Sequence, residues 1–275
     1  MVFSDESDNE LIDDHHKQQA PKVDFFKKIE KMNKKKQLQA VDHSKMDYKA
    51  FRKDFYIECK EIRNLSEEDT ELFRNSMGDI KVRGIDCTKP IMNWYQCGLS
   101  DKLLDVLIEK NKFEAPFAIQ CQAIPTLMSG RDCIGVAETG SGKTLAFVIP
   151  MLRHIKYQDP LREGDGPIAI IMVPTRELAL QVYNESKMLC KTLNIRCACI
   201  YGGGNLSGQL ANLKRGAEIV VCTPGRMIDV LTKSNGRFTN LRRVTYVVLD
   251  EADRMFDLGF EPQISKILMN VRPDR

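Results

Sequence analysis

At 275 residues with 43% apolar side chains, the chain has room for one domain of about 200 residues plus a tail, or for two small domains, and for a sizeable core. Its 41 basic and 38 acidic side chains leave a formal charge of +3, which does not by itself demand nucleic acid, and no stretch approaches the roughly 18 apolar residues of a membrane helix. The opening MVFSDESDNE lacks the charged-then-apolar layout of a secretory signal, and nine cysteines without a CxxC pair read as reduced thiols of an intracellular protein.

Met1 to Asp14 carries six acids (Asp5, Glu6, Asp8, Glu10, Asp13, Asp14) and no base, with too little apolar content to order itself. Between Lys22 and Lys36 the sign reverses: seven lysines stand among Val23, Phe25, Phe26, Ile29 and Met32 at loosely helical spacing. That segment reads either as a basic amphipathic surface for RNA, a partner or nuclear import, or as a solvated tail. Residues 1–40 are thus expected to be a charged tail, disordered or partly helical, with His15 and His16 as exposed tail residues. Residues 41–92 read as an extension. In it Tyr48, Phe51, Phe55 and Tyr56 suit a strap lying against the domain that follows. Leu65–Met77 predicts a short helix with Ser66 as its cap, Ile80–Val82 a short strand, and Lys89-Pro90 a loop.

From residue 93 to 275 the rhythm is α/β. Ser100 is placed to cap a helix running to about Lys110, and a second helix is expected over Ile119–Met128. The apolar run Cys133–Val136 predicts a strand, followed by a helix over Leu145–Ile155. Ile168–Val173 should be a buried parallel strand. Thr175–Leu193 should be a helix that turns Leu178, Val182, Leu189 and Leu193 inward. Cys197–Tyr201, Ile219–Cys222 and Val244–Leu249 complete a mostly parallel sheet flanked by helices, with ligands expected at the carboxyl ends of its strands.

Two stretches carry chemistry. Ala137–Thr144 reads AETGSGKT between a predicted strand and a predicted helix. Gly140 and Gly142 permit a tight turn whose N–H groups converge on an anion, and the helix start adds its partial positive charge. Thr139, Gly140, Ser141 and Gly142 would wrap the phosphates of a nucleotide, Lys143 would reach the β- and γ-phosphates, and Thr144 would hold Mg²⁺. Downstream, the apolar strand before Asp250 delivers Asp250, Glu251, Ala252 and Asp253. Asp250 would hold Mg²⁺ through water, and Glu251 would orient and deprotonate an attacking water.

With these motifs stand PTRELA (Pro174–Ala179), the doublet Gly202-Gly203, TPGR (Thr223–Arg226) and RMFDLGF (Arg254–Phe260). In that order, over roughly Trp94–Arg275, the sequence resembles the DEAD-box RNA helicases. The resemblance implies the first of two RecA-like domains, using ATP and Mg²⁺. It also implies a Q motif at Phe113, Pro116, Ile119 and Gln120, in which Phe113 stacks on adenine, with Trp94 packed behind it, and Gln120 reads the base edge. Gln120 reads otherwise as an exposed helix residue. Lys112 stands where the family usually has Gly, Phe117 where it usually has Thr or Ser, and one extra residue separates Trp94 from Phe113.

The resemblance further implies backbone-directed, sequence-tolerant RNA contacts from Pro174, Thr175, Arg176, Gly202, Gly203, Thr223, Gly225 and Arg226, and coupling between domains through Asp253. Arg176 reads otherwise as an ion-pair partner within the domain. Val41–Glu58 and the stretches around PTRELA and the acids look most like a spliceosomal branch that remodels the small nuclear ribonucleoprotein recognising the intron branch site. That implies nuclear pre-mRNA splicing, spliceosomal protein partners and no membrane. The family's SAT motif and second domain are expected beyond Arg275. Their absence would leave a gap in the sheet between the phosphate-loop strand and the acid-bearing strand, and a chain nearly inactive by itself. A non-catalytic scaffold with a vestigial site and a DNA-directed helicase are the competing readings.

Overall fold

The computed structural model describes residues 38–110, 112–234 and 238–275. The acidic and lysine-rich segments and His15 and His16 fall outside the described residues. In chain order the helices are α1 (Lys60–Arg63), α2 (Glu67–Ser76), α3 (Asp101–Asp105), α4 (Ala118–Met128), α5 (Lys143–Lys156), α6 (Arg176–Thr192), α7 (Leu206–Lys214), α8 (Pro224–Ser234), α9 (Ala252–Asp257) and α10 (Glu261–Leu268).

Four apolar runs form a parallel sheet: β1 (Ala169–Met172), β2 (Cys197–Ile200), β3 (Ile219–Cys222) and β4 (Tyr246–Leu249), in the order β2-β3-β1-β4. Ala169 is level with both Ile219 and Tyr246, and Ile219 with Cys197, so all four carboxyl ends emerge on one rim. Every residue of β1 and β3 is buried, as expected for central strands with both faces covered. α6 starts where Thr175 Oγ1 accepts the Leu178 N–H at 3.2 Å, and its Val182 and Leu189 are fully buried.

The aromatic extension is pinned at several points. The Phe55 and Tyr56 N–H groups donate to the Met128 carbonyl at 2.7 and 3.1 Å. Phe51 and Phe55 meet the His154 ring edge-on, with centroids 5.5 and 5.8 Å away. The Arg272 guanidinium lies 4.9 Å from the Tyr48 ring centroid and 4.8 Å from that of Phe51, and donates to the Lys49 carbonyl at 2.8 Å.

Three local expectations are corrected. Ile80–Val82 is not a strand: left-handed Asp79 (φ 62°) and Asp86 (φ 48°) flank it, and among the described residues no strand pairs with it. The helix after Ser100 is interrupted. The Ser100 hydroxyl makes no capping bond, and at Val106 the α-helix widens into a π-turn that runs to Lys110. Cys133–Val136 also stays outside the sheet, with Ile134 96% and Val136 91% exposed. A strand exists only through a hydrogen-bonded neighbour. Among the described residues no strand pairs with this run, and β4, whose four residues are only half-buried, forms one edge of the sheet.

Candidate functional site

The loop before α5 has the backbone of an anion cradle. Gly140 and Gly142 sit at φ 81° and 83°, in the left-handed region that glycine enters without strain. An added Cβ at Gly140 would meet nothing within 4 Å, whereas at Gly142 it would lie 2.3 Å from Gln120 Nε2 and 2.8 Å from Phe117 Cδ2. Gly142 is therefore fixed by close approach as well as by conformation. Lys143 folds back on the loop, donating to the Ala137 carbonyl and, at 2.8 Å, to that of Glu138; Ser141 Oγ donates to the same Glu138 oxygen at 2.8 Å. Thr139 and Gly140 are exposed, while Ser141, Lys143 and Thr144 are half-buried.

The segment leading into α4 is tied to this loop. Gln120 is 1% exposed, so it is not an exposed helix residue; its Oε1 accepts the Phe117 N–H at 2.8 Å and its Nε2 donates to the Gly142 carbonyl at 2.9 Å. Phe113 is half-buried against the core, and its carbonyl accepts from Trp94 Nε1 at 2.8 Å. Two of the sequence departures have a structural counterpart here. A π-turn holds one residue more than the α-turn it replaces, so Val106–Lys110 is where the expected extra residue between Trp94 and Phe113 would fit. Lys112, at φ 56°, carries the left-handed conformation for which glycine is the usual solution.

The acids emerge from β4. The Asp250 N–H donates to the Met172 carbonyl at 3.0 Å, which fixes the exit of β4 beside that of β1. Burial pushes the Asp250 carboxyl above its ordinary value and the Glu251 charge pushes the same way, while the Lys143 charge partly offsets them. Lys143, Asp250 and Glu251 thus share one electrostatic neighbourhood. Glu251 itself sits at φ 53°, a strained conformation for a residue with a Cβ, and its carboxylate pairs with Arg254 at 3.2 Å. Asp253 is exposed at the start of α9.

The other half of the rim belongs to β1, β2 and β3. Pro174 is buried, and Thr175 and Arg176 turn the chain into α6. The Arg176 guanidinium lies 4.9 Å from the ring centroid of Tyr201 at the end of β2, and it forms no ion pair among the described residues. Gly202 and Gly203 are exposed with open space around them. Thr223 accepts the Met227 N–H through its carbonyl at 3.1 Å, Gly225 is exposed, and Arg226 is half-buried with its Nε lacking a hydrogen-bond partner. The sheet order therefore separates two groups: the loop-and-acid cluster at β4, and the Thr, Gly and Arg cluster across β1, β3 and β2. The sequence reading gave neither Tyr201 nor Arg254 a role of its own. The i, i+3 spacing of Glu251 and Arg254 was the available signal for one, whereas Tyr201 touches Arg176 only through the fold.

Residues 117–275 match the DEAD/DEAH box helicase family. The fission yeast Pre-mRNA-processing ATP-dependent RNA helicase prp11 is 61% identical over 245 residues, which cover 89% of this chain and 24% of that protein. The human Probable ATP-dependent RNA helicase DDX46 is 60% identical over 241 residues, 88% of this chain and 23% of that protein. The chain therefore spans about a quarter of the length of the curated relatives it matches. Among solved structures, the yeast DEAD-box splicing factor Prp28 superposes with a TM-score of 0.71 at 36% identity, covering 78% of this chain and 50% of that one. The RNA-helicase Prp28 from Chaetomium thermophilum, bound to ADP, gives a TM-score of 0.69 at 39% identity, over 78% of this chain and 51% of that one.

Proposed function

The chain belongs to the DEAD/DEAH box helicase family, and from that premise we propose that it is the nucleotide-binding RecA-like part of an ATP-dependent RNA helicase of nuclear pre-mRNA splicing. The observation that supports this reading is that the charges of Lys143 and Glu251 both act on the Asp250 carboxyl at the exit of β4, while Lys143 itself closes a loop with two left-handed glycines.

The proposed mechanism assigns each residue a task. The N–H groups of residues 139–144 and the start of α5 receive the phosphates, and Lys143 exchanges its two loop carbonyls for phosphate oxygens. Thr144 and Asp250 fit a hard cation that prefers oxygen ligands, and Mg²⁺ bound there would neutralise phosphate charge. Glu251, steadied by Arg254, orients the attacking water and takes its proton. Pro174, Thr175, Arg176, Gly202, Gly203, Thr223, Gly225 and Arg226 receive an RNA backbone on the neighbouring part of the rim, through contacts that read sugar and phosphate rather than sequence. Asp253 is assigned to coupling with a second domain. The pre-mRNA-processing name of prp11 and the splicing-factor name of Prp28 support splicing proteins as partners, and the nucleus is proposed with them as the place of action.

The test is calorimetric titration of this chain with Mg·ATP, paired with ATPase measured under saturating single-stranded RNA for this chain and for a longer one carrying a second RecA-like domain. Measurable binding, with RNA-stimulated turnover only in the longer chain, is expected. Equal turnover in the two would refute the division of labour, and equal affinity for matched RNA and DNA strands would refute the choice of RNA.

A further inference from the structure

α6 buries one face in the core and leaves a second, equally regular face open. Val182, Leu189 and Cys190 are buried, whereas Asn184, Lys187, Met188 and Lys191, spaced i, i+3, i+4 and i+7, are exposed. This second stripe stands across from the π-turn Val106–Lys110, and the two walls form an open groove of about 550 Å³. We infer that the groove is a docking site for an acidic peptide segment of a partner protein. The peptide sets an aliphatic side chain against Met188 and Val106 and its carboxylates on Lys110, Lys187 and Lys191.

The charge of the groove is one-sided. Lysines from two separate elements line it, and no acid does. Among the described residues Lys110, Lys187 and Lys191 form no ion pair, although carboxylates stand close in sequence: Glu109 is 4.0 Å from Lys112, and Glu185 accepts from Gln181 at 3.1 Å. The helix dipole accounts for Lys191 in the last turn of α6, but Lys187 stands a turn earlier and Lys110 belongs to another element. Lys187 and Lys191, four residues apart on one helix, repel each other, and a bound carboxylate would offset that repulsion.

The apolar part of the groove decides among the polyanions that three lysines attract. Met188 is 38% exposed, and a surface methionine is a soft, adaptable contact for another side chain. Val106 is buried and gives the groove an apolar floor. No arginine or aromatic ring lines it, and those are the groups on which a single-stranded nucleic acid stacks its bases. The ring of Tyr183, on the same helix, has the Lys187 ammonium 5.1 Å from its centroid. An acidic peptide with an aliphatic anchor matches both the charge and the floor. Lys187 also lies three helical turns beyond Arg176, about 16 Å along the axis, so a peptide held here leaves the strand rim uncovered.

The test is fluorescence anisotropy at low salt with a labelled peptide of glutamates flanking a single leucine. It is compared with the same peptide carrying serine for leucine, with a lysine-for-glutamate counterpart, and with a short oligouridylate. The acidic peptide should bind saturably and weaken severalfold as ionic strength rises from about 0.05 to 0.3 M. Joint Lys187→Glu and Lys191→Glu substitution should weaken it by at least about tenfold. Met188→Ser should weaken it severalfold and make the leucine and serine peptides bind alike. These side chains are exposed and lie off the loop before α5, so melting curves and Mg·ATP affinity should match the wild type. If the double reversal melts lower, Lys110→Glu on the other wall gives the same reading. Absence of saturable binding, or binding that survives the reversals on both walls, would overturn the inference. So would tighter binding of the oligouridylate that the reversals abolish, which would give the groove to nucleic acid. Self-association of the wild type that the reversals abolish would instead make the occupant a second copy of the chain.

Discussion

Lys143 turns its ammonium onto the carbonyl of Glu138, 2.8 Å away within its own loop. A charge-assisted bond of this kind to a loop oxygen is readily traded for one to a phosphate, which is the stronger acceptor. Lys143→Ala should therefore change the melting midpoint by only a few degrees, since the ammonium is half-exposed and its carbonyl partners can turn to water. Its affinity for Mg·ATP should fall by about 1.5–3 kcal/mol, the range for a hydrogen bond to a charged group. Calorimetry on the two proteins checks this, and unchanged affinity would show that the lysine does not reach the ligand.

The two loop glycines should respond differently to alanine. Gly140→Ala meets only the backbone penalty of the left-handed region, about 1–2 kcal/mol, because its Cβ would project into open space. Gly142→Ala adds a collision with Gln120 Nε2 at 2.3 Å and with Phe117 Cδ2 at 2.8 Å, and overpacking of that kind costs about 1–3 kcal/mol more. Urea denaturation should rank Gly142→Ala clearly below Gly140→Ala. Equal losses would mean that the Gln120 contact with the loop is not maintained in solution.

Much of this arrangement is legible in the sequence, and where it is not there is a physical cause. The run AIIM makes β1 recognisable because a central parallel strand is apolar on both faces, and Thr175 marks the start of α6 because its hydroxyl has an N–H to cap. Cys133–Val136 has the same local character as β1 yet forms no strand, because pairing is a property of two segments and propensity a property of one. The π-turn is half-legible: the resemblance implies one residue more than usual between Trp94 and Phe113, but nothing in Val106–Lys110 says whether a loop or the helix would absorb it. The close approach of Phe117 to Gly142 joins residues 25 apart and is visible only with α4 and the loop before α5 folded together.

Asp250 provides a test with a sign. Its folded carboxyl holds a proton more tightly than an ordinary carboxylate, first because it is buried and then because Glu251 is beside it. The ligand-free protein should therefore gain stability from this group as pH falls through the raised value toward the unfolded value near 4, and the ionised form at neutral pH should be a liability. Asp250→Asn should raise the urea midpoint at pH 7 while lowering Mg²⁺ affinity in the presence of ATP by about 10- to 100-fold, the loss typical of an outer-shell metal partner. A lower midpoint at pH 7 would contradict the assigned direction.

Lys112 should be better as glycine. At φ 56° its Cβ is strained, and Lys112→Gly should stabilise the fold by up to about 1 kcal/mol, the strain relieved less the added entropy of the unfolded chain. Trp94 is the chain's single tryptophan, and its Nε1 donates to the Phe113 carbonyl at 2.8 Å, immediately after the substituted residue. Its emission therefore reports whether the local geometry survives. An unchanged spectrum with a higher midpoint is expected; a shifted spectrum would mean that the side chain itself, not only the backbone, sets this turn.

His154 should make the fold sensitive to acid. It is 5% exposed, with Nε2 2.7 Å from Thr245 Oγ1 and 2.9 Å from Gln158 Nε2, and with Phe51 and Phe55 edge-on to its ring. Burial, and then the charge of Lys53, pulls its pKa down to about 4. As pH falls the unfolded chain takes up its proton first, near 6.5, so the stability contributed by neutral His154 is complete above that value, declines between 6.5 and about 4, and changes no further below. A gap of this size corresponds to about 3 kcal/mol over the window. Protonation at Nε2 would also set an N–H against the Gln158 amide nitrogen, so the aromatic extension held by Phe51 and Phe55 should loosen along with the ring. Urea midpoints from pH 7 to 4.5 should slope downward in the wild type and run much flatter in His154→Gln, even if that variant is less stable at pH 7. The same slope in both proteins would assign the acid sensitivity to other groups.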